Sequence, residues 1–248
     1  MILHGIWQSA PNVWNLKFRN MNSELLCMLA TGYSDHQLKL TSLEDVRDTL
    51  RRKLSLLEPS RFSWGRYTSA VALMQQLLMP LEMPVTSSQL TCTSGHHVHS
   101  SFQDNYRCIQ HAGTNTYLSI TDWIQNYQES SSHRCQQCNN GLVRKYTFVS
   151  TPGLLVFEFE GMQNIQPESR ITIQTHHCRT TKTYALQGVV YFGESHYTSR
   201  IIANGNQVWF HDGMDTGHLL RYEGLLTSTT NLSSCYGKCA ILAIYIQI

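Results

Sequence analysis

Residues 184–214, reading YALQGVVYFGESHYTSRIIANGNQVWFHDGM, constrain this chain most. The run 184–192 is apolar and β-prone, and Gly193-Glu194 is expected to make a tight turn. A second run, 196–202, leads to Asn204-Gly205, a strong hairpin signal. The loop length then sets which residues face each other. A two-residue loop, Asn204-Gly205, would set Asp212 opposite Tyr197 and away from His196. A three-residue loop, Ala203-Asn204-Gly205 with a left-handed Gly205, would set Asp212 directly opposite His196. A cross-strand His/Asp pair is what a thiol or serine hydrolase uses to hold its general base in one tautomer. Geometry by itself favours an ordinary surface polar pair.

The rest of the chain reads as helices first and antiparallel strands afterwards, an α+β arrangement. Ser42 with Asp45 three residues on is a capping-box pattern, and Leu43, Val46, Leu50, Leu54 and Leu57 share one helical face. Pro59 ends that helix. A second helix is expected over 68–79, with Val71, Met74, Leu77 and Leu78 inward and Pro80 as the stop. Residues 86–141 are polar and rich in Ser, His and Cys, with one short helix at 119–127. Strands are expected at 143–150, 154–160 and 171–175, before the hairpin and a closing apolar strand at 239–248.

At 248 residues the chain can hold one sizeable core. Hydrophobic content is 42% and charged content 15%, and no run approaches 18 apolar residues, which argues against a membrane or disordered protein. The net charge of +2 is spread without a Lys/Arg stripe, so nucleic acid is not an expected partner. No signal peptide is apparent, so the eight cysteines are expected to be intracellular thiols, some around a metal, rather than disulfides.

The spacing Cys135-Gln-Gln-Cys138 is a knuckle that lets two thiolates turn onto one zinc ion. Cys92 offers a third sulfur from Cys92-Thr-Ser-Gly-His-His-Val-His, where His96, His97 or His99 offers the nitrogen. The expected site is structural Zn2+ on Cys92, His97, Cys135 and Cys138, with Gly95 where a fourth cysteine would stand. The pairs Cys108/His111 and His176-His177-Cys178 read as loop or core residues, and Cys235 and Cys239 as reduced thiols around a turn.

Tyr184, Leu186, Val189, Val190, Gly193, His196, Tyr197, Trp209 and Asp212 together resemble the histidine box of the ubiquitin-specific proteases, the papain-like deubiquitinases. The Trp-Phe-His-Asp-Gly-Met form resembles a divergent branch found fused in fungal proteins. The closing strand resembles the tyrosine-containing strand that ends the family's domain, while Ser195 departs from the family's usual Gly. The resemblance implies a papain-like peptidase fold in one domain, 1–248. It would divide into a helical thumb remnant (1–85), zinc-ribbon fingers (86–141) and an antiparallel β palm (142–248). It implies ubiquitin or a ubiquitin-like protein as partner, with His196 and Asp212 as base and orienter.

The family's cysteine box is missing. Residues 1–7 resemble the middle of the helix that should carry it, so the box would lie just before residue 1. Cys27 sits inside a helical apolar run, where a thiol is inert packing. The chain alone is therefore expected to be catalytically silent, a fragment or a pseudoenzyme. The competing expectations are a non-catalytic ubiquitin-binding module and an unrelated zinc-ribbon interaction domain.

Overall fold

Serine caps start three of the helices in the N-terminal part. In a computed structural model, the description covers residues 1–21, 23–66, 68–99, 101–111, 118–159, 165–176, 180–203, 206–217 and 219–248. Helix α1 (Ile2–Ser9) buries Ile2, Leu3, Ile6 and Trp7, and α2 (Pro11–Asn20) starts on a proline whose missing N–H costs nothing there. Helix α3 (Glu24–Gln37) is capped by Ser23, whose hydroxyl accepts the Leu26 N–H. Helix α4 (Leu43–Leu57) has the expected reciprocal box: Ser42 Oγ accepts Asp45 N–H at 3.1 Å, and Asp45 Oδ2 accepts Ser42 N–H at 3.2 Å. Its stripe buries Val46 and Leu54, but Leu57 is half exposed because the last turn runs past the core. The short α5 (Pro59–Phe62) follows, then α6 (Ala70–Leu77), which is shorter than expected because Ser69 is its cap.

The remaining elements are β1 (Thr86–Cys92), β2 (Gln103–Asn105), β3 (Ile109–His111), α7 (Ile120–Asn126), β4 (Gln128–Arg134), β5 (Gly141–Phe148) and β6 (Leu154–Glu158). They continue with β7 (Arg170–Gln174), β8 (Thr181–Gly193), β9 (His196–Ala203), β10 (Gln207–His211), β11 (Arg221–Leu225), β12 (Ser234–Cys235) and β13 (Lys238–Gln247). Among the described residues they form two sheets. The 4-stranded one has the order β2-β1-β5-β4. The 9-stranded one runs β11-β10-β9-β8-β13-β6-β3, with β12 on β13 and β7 on β8. All ladders are antiparallel except β3–β6. Strand β5, expected among the palm strands, thus pairs in the small sheet, and β3 joins the large one.

Period-two alternation explains the two cores. On β6 and β13, Leu154, Val156, Leu242 and Ile244 face the helices α1–α4 and α6. Leu155, Phe157, Ala243 and Tyr245 face the other side, where α7 contributes Ile120 and Trp123. A strand covered on both faces reads as a continuous apolar run, which is why CAILAIYIQI has so little alternation. Helix α1 lies against β8 and β9, and contact requires a glycine: a Cβ on Gly188 would come within 2.8 Å of both Ile2 Cδ1 and the Arg200 carbonyl. Among the described residues no helix is long and apolar enough to cross a membrane.

Candidate functional site

His196 opens β9 at the end of a two-residue hairpin, where Gly193 pairs with His196 across Glu194 and Ser195. The turn is therefore one residue later than the sequence suggests. Glu194 and Ser195 have φ of 53° and 58°, the doubly left-handed conformation that matches the twist of a tight hairpin. Gly193 serves close packing instead, since a Cβ there would lie 3.2 Å from Lys238 Cα.

The next hairpin does not have the expected register. Ala203 pairs with Gln207 and Ser199 with His211, so Asp212 is not directly opposite His196. The turn residues Asn204 and Gly205 lie outside the described residues. Strand β10 ends at His211, and Asp212 leaves the ladder two rows short of the expected position. A shift of two keeps a side chain on the same face. The carboxylate accordingly reaches His196 on the diagonal, with Oδ1 2.6 Å from Nε2.

Asp212 is 5% exposed and held on several sides. Its Oδ1 also accepts the Met214 N–H at 2.9 Å and the Asp215 N–H at 3.4 Å. Burial pushes the carboxyl up, but the Met214 N–H, His196 and the Asp215 N–H outweigh it, leaving Asp212 below its ordinary range. With Nε2 committed to Asp212, Nδ1 is the imidazole nitrogen left for a reacting group. The neighbouring His211 is held below its ordinary value, chiefly by burial.

The described thiols are placed elsewhere. Cys239 pairs with Phe192, and Phe192 with Tyr197, one residue along from His196 and so on the opposite face. Cys235 pairs with Lys238, three strands from His196, which is about 14 Å at ordinary strand spacing. Cys108 is fully buried under β6, and burial pushes its thiol up to about 12. Cys27 is only half-buried on α3, less than its apolar neighbours suggest, with Sγ 4.0 Å from the Phe18 carbonyl. Cys178 and His177 lie outside the described residues.

A second constellation forms at the end of the small sheet, where Cys92, His96, Cys135 and Cys138 bring one ligand atom each within 4.8 Å of one another. Cys92 Sγ is 3.6 Å from Cys138 Sγ, and His96 Nδ1 is 3.7 Å from the sulfurs of both Cys92 and Cys135. A tetrahedral ion with bonds of about 2.3 Å to sulfur needs ligand separations of about 3.8 Å, so this donor set fits a metal ion. The histidine is His96, which corrects the expected His97. His97 meets His99 edge-on outside the cluster, with centroids 4.7 Å apart. Burial pushes the Cys92 thiol up, but the N–H groups of Ser94 and His96 and the neighbouring sulfurs bring it down to about 6. The N–H groups of Cys138 and Gln137 lower Cys135, and the two thiols raise His96.

Sequence reasoning had His96 among three candidate nitrogens but settled on His97, and it missed the turn that grips Asp212. The spacing Asp212-Gly-Met-Asp-Thr216, with a capping-type residue at each end, is the signal that announces such a turn.

No protein-family profile and no curated sequence matches this chain. Solved structures do. The SAGA Ubp8/Sgf11/Sus1/Sgf73 DUB module bound to ubiquitin aldehyde aligns with 100% of this chain and 65% of that one, with a TM-score of 0.64 and 11% identity. A form of the module with a substituted Ubp8 and a shortened Sgf11 aligns with 100% and 63%, with a TM-score of 0.57 and 12% identity. The yeast module with a mutant Sgf73 aligns with 100% and 64%, with a TM-score of 0.53 and 11% identity. The chain thus spans less than two thirds of the chains it matches. The fold is that of a ubiquitin-specific-protease-like domain.

Proposed function

We propose that the chain is a deubiquitinase-related domain that binds ubiquitin or a ubiquitin-like protein and supplies the base of a thiol-dependent hydrolysis. The observation that carries this reading is the 2.6 Å His196–Asp212 contact on a ubiquitin-specific-protease-like fold. His196 takes the proton of a thiol brought to Nδ1 from outside these residues. The thiolate attacks the isopeptide carbonyl carbon, and as the C–N bond breaks the imidazolium returns the proton to the leaving lysine amine. Water then hydrolyses the thioester. Asp212 holds the imidazole in the productive tautomer throughout.

Zinc is the ion we assign to Cys92, His96, Cys135 and Cys138, in a structural role that ties β1 to the Cys135–Cys138 knuckle. The large sheet, the small sheet and the helices would be palm, fingers and thumb of one domain, working in the cytoplasm or nucleus, where thiols stay reduced. A second reading is a non-catalytic ubiquitin-binding module. It is favoured by the placement of the described cysteines, none of which is hydrogen-bonded to His196.

Two experiments test the proposal. The 248-residue chain should not cleave a ubiquitin–fluorophore amide, yet it should bind ubiquitin in a titration; absence of binding removes both readings. Cleavage lost on His196→Ala and on one Cys→Ala change would overturn the silence and identify a nucleophile within the chain. An activity-based ubiquitin probe on the full-length gene product separates the readings, since covalent labelling requires a thiol beside His196.

A further inference from the structure

The turn after Asp212 grips that residue by its backbone as well as by its carboxylate. Thr216 Oγ1 accepts the Asp212 N–H at 3.1 Å and donates to the Asp212 carbonyl at 2.7 Å. The Thr216 N–H donates to the same carbonyl at 2.8 Å. Strand β10 ends at His211, so these bonds replace the sheet ladder for Asp212. One row further out, His211 Nε2 lies 3.2 Å from the Gly217 carbonyl, and Gly217 at φ 59° closes the ring.

Packing does little to hold this turn. Gly213, Met214, Asp215 and Gly217 are exposed, Met214 at 78%, while Asp212 itself is buried. An exposed five-residue turn that carries a buried carboxylate keeps its shape through hydrogen bonds, and the Thr216 hydroxyl makes two of them to one residue. Without it, the Asp212 N–H would pass to water and its carbonyl would keep only the Thr216 N–H, so the direction of the carboxylate would be held less firmly from behind.

We propose that Thr216 is the positioning residue of the dyad: its hydroxyl keeps Asp212 aimed at His196 Nε2. This rests on the reading of His196 and Asp212 as a working pair. The residue touches neither substrate nor imidazole and acts only through Asp212. A merely structural threonine would change the stability of the turn and leave the His196–Asp212 hydrogen bond as it is.

The test uses the 248-residue chain and proton NMR of the His196 Nε2–H, which a 2.6 Å bond to a carboxylate moves downfield and protects from exchange. Wild type should show this resonance, and Asp212→Asn should abolish or strongly shift it. Thr216→Val, which removes the hydroxyl and keeps the shape, should speed its solvent exchange by about tenfold, the equivalent of ~1.4 kcal/mol of opening free energy. Thr216→Ser should restore the wild-type rate. An unchanged rate in Thr216→Val, with the signal lost in Asp212→Asn, overturns the role of Thr216 and leaves the dyad standing. A missing signal in wild type, or an unaltered one in Asp212→Asn, overturns the dyad itself. Thr216→Ala gives the same readout if the valine variant folds poorly.

Discussion

His196 is presented by two residues that pay for their conformation. Glu194 and Ser195 both sit at positive φ, where an L side chain crowds the following carbonyl, at roughly 1–2 kcal/mol per residue. Replacing Ser195 with glycine removes that crowding but frees the unfolded chain, so the net gain should be about 0.5–1 kcal/mol. The urea midpoint of Ser195→Gly should rise while the His196–Asp212 resonance stays in place. A lower midpoint would mean that the serine side chain has a stabilising partner in solution. The sequence showed that a turn must precede His196 but not which residues form it, because Glu-Ser carries none of the usual Asn-Gly chemistry whereas the adjacent Gly193 is a turn-type residue. That glycine is required by Lys238, a residue on another strand, and no local pattern reveals a contact of that kind.

At the scale of elements, the metal cluster shows how one backbone dihedral selects a ligand. In the Cys135 knuckle the left-handed residue is Asn139, the fourth after Cys135, at φ 59°; in the other it is Gly95, the third after Cys92, at φ 79°. The second knuckle therefore swings one residue earlier relative to its cysteine, and the next side chain, His96, enters the site. The three cysteines were legible from spacing, whereas the choice among three nearby histidines depended on Gly95. The purified chain should carry about one equivalent of zinc. Metal content should fall sharply in Cys138→Ser and His96→Ala, and His97→Ala should keep it. Loss of zinc in His97→Ala with retention in His96→Ala would reverse the ligand assignment. The β9–β10 register illustrates the same limit: pairing depends on the turn, while the shared face of His196 and Asp212 survives because a slip of two preserves parity.

Across the whole molecule, the helices-then-sheet order and the doubly covered β13 could be read from apolar patterning, while the division of strands between two sheets could not. The membership of β3 and β5 is set by long-range pairing. The same burial that makes the central strands readable has a consequence for pH. Tyr184, Tyr191 and Tyr245 are fully buried on β8 and β13, and burial raises all three phenols above their ordinary value of 10.0. Burial likewise pushes the Cys108 thiol from 9.0 to about 12 and Cys235 to about 11. For each group the folded state holds its proton more tightly than the unfolded chain does. The stabilisation is fully present below the unfolded pKa and is lost as pH climbs from there towards the folded value. Urea midpoints should therefore show no loss from these groups at pH 7 to 8. They should fall from about pH 9, first through the two thiols and then through the phenols, by up to ~1.4 kcal/mol per pH unit for each group titrating. Tyr191 is the informative position, because its buried hydroxyl makes no well-formed hydrogen bond among the described residues and has the Arg200 guanidinium beside it. Tyr191→Phe should cost little at pH 7 and should reduce the alkaline loss by one group's share. An unchanged alkaline slope in that variant would show that base denaturation starts elsewhere than at the buried phenols of the central sheet.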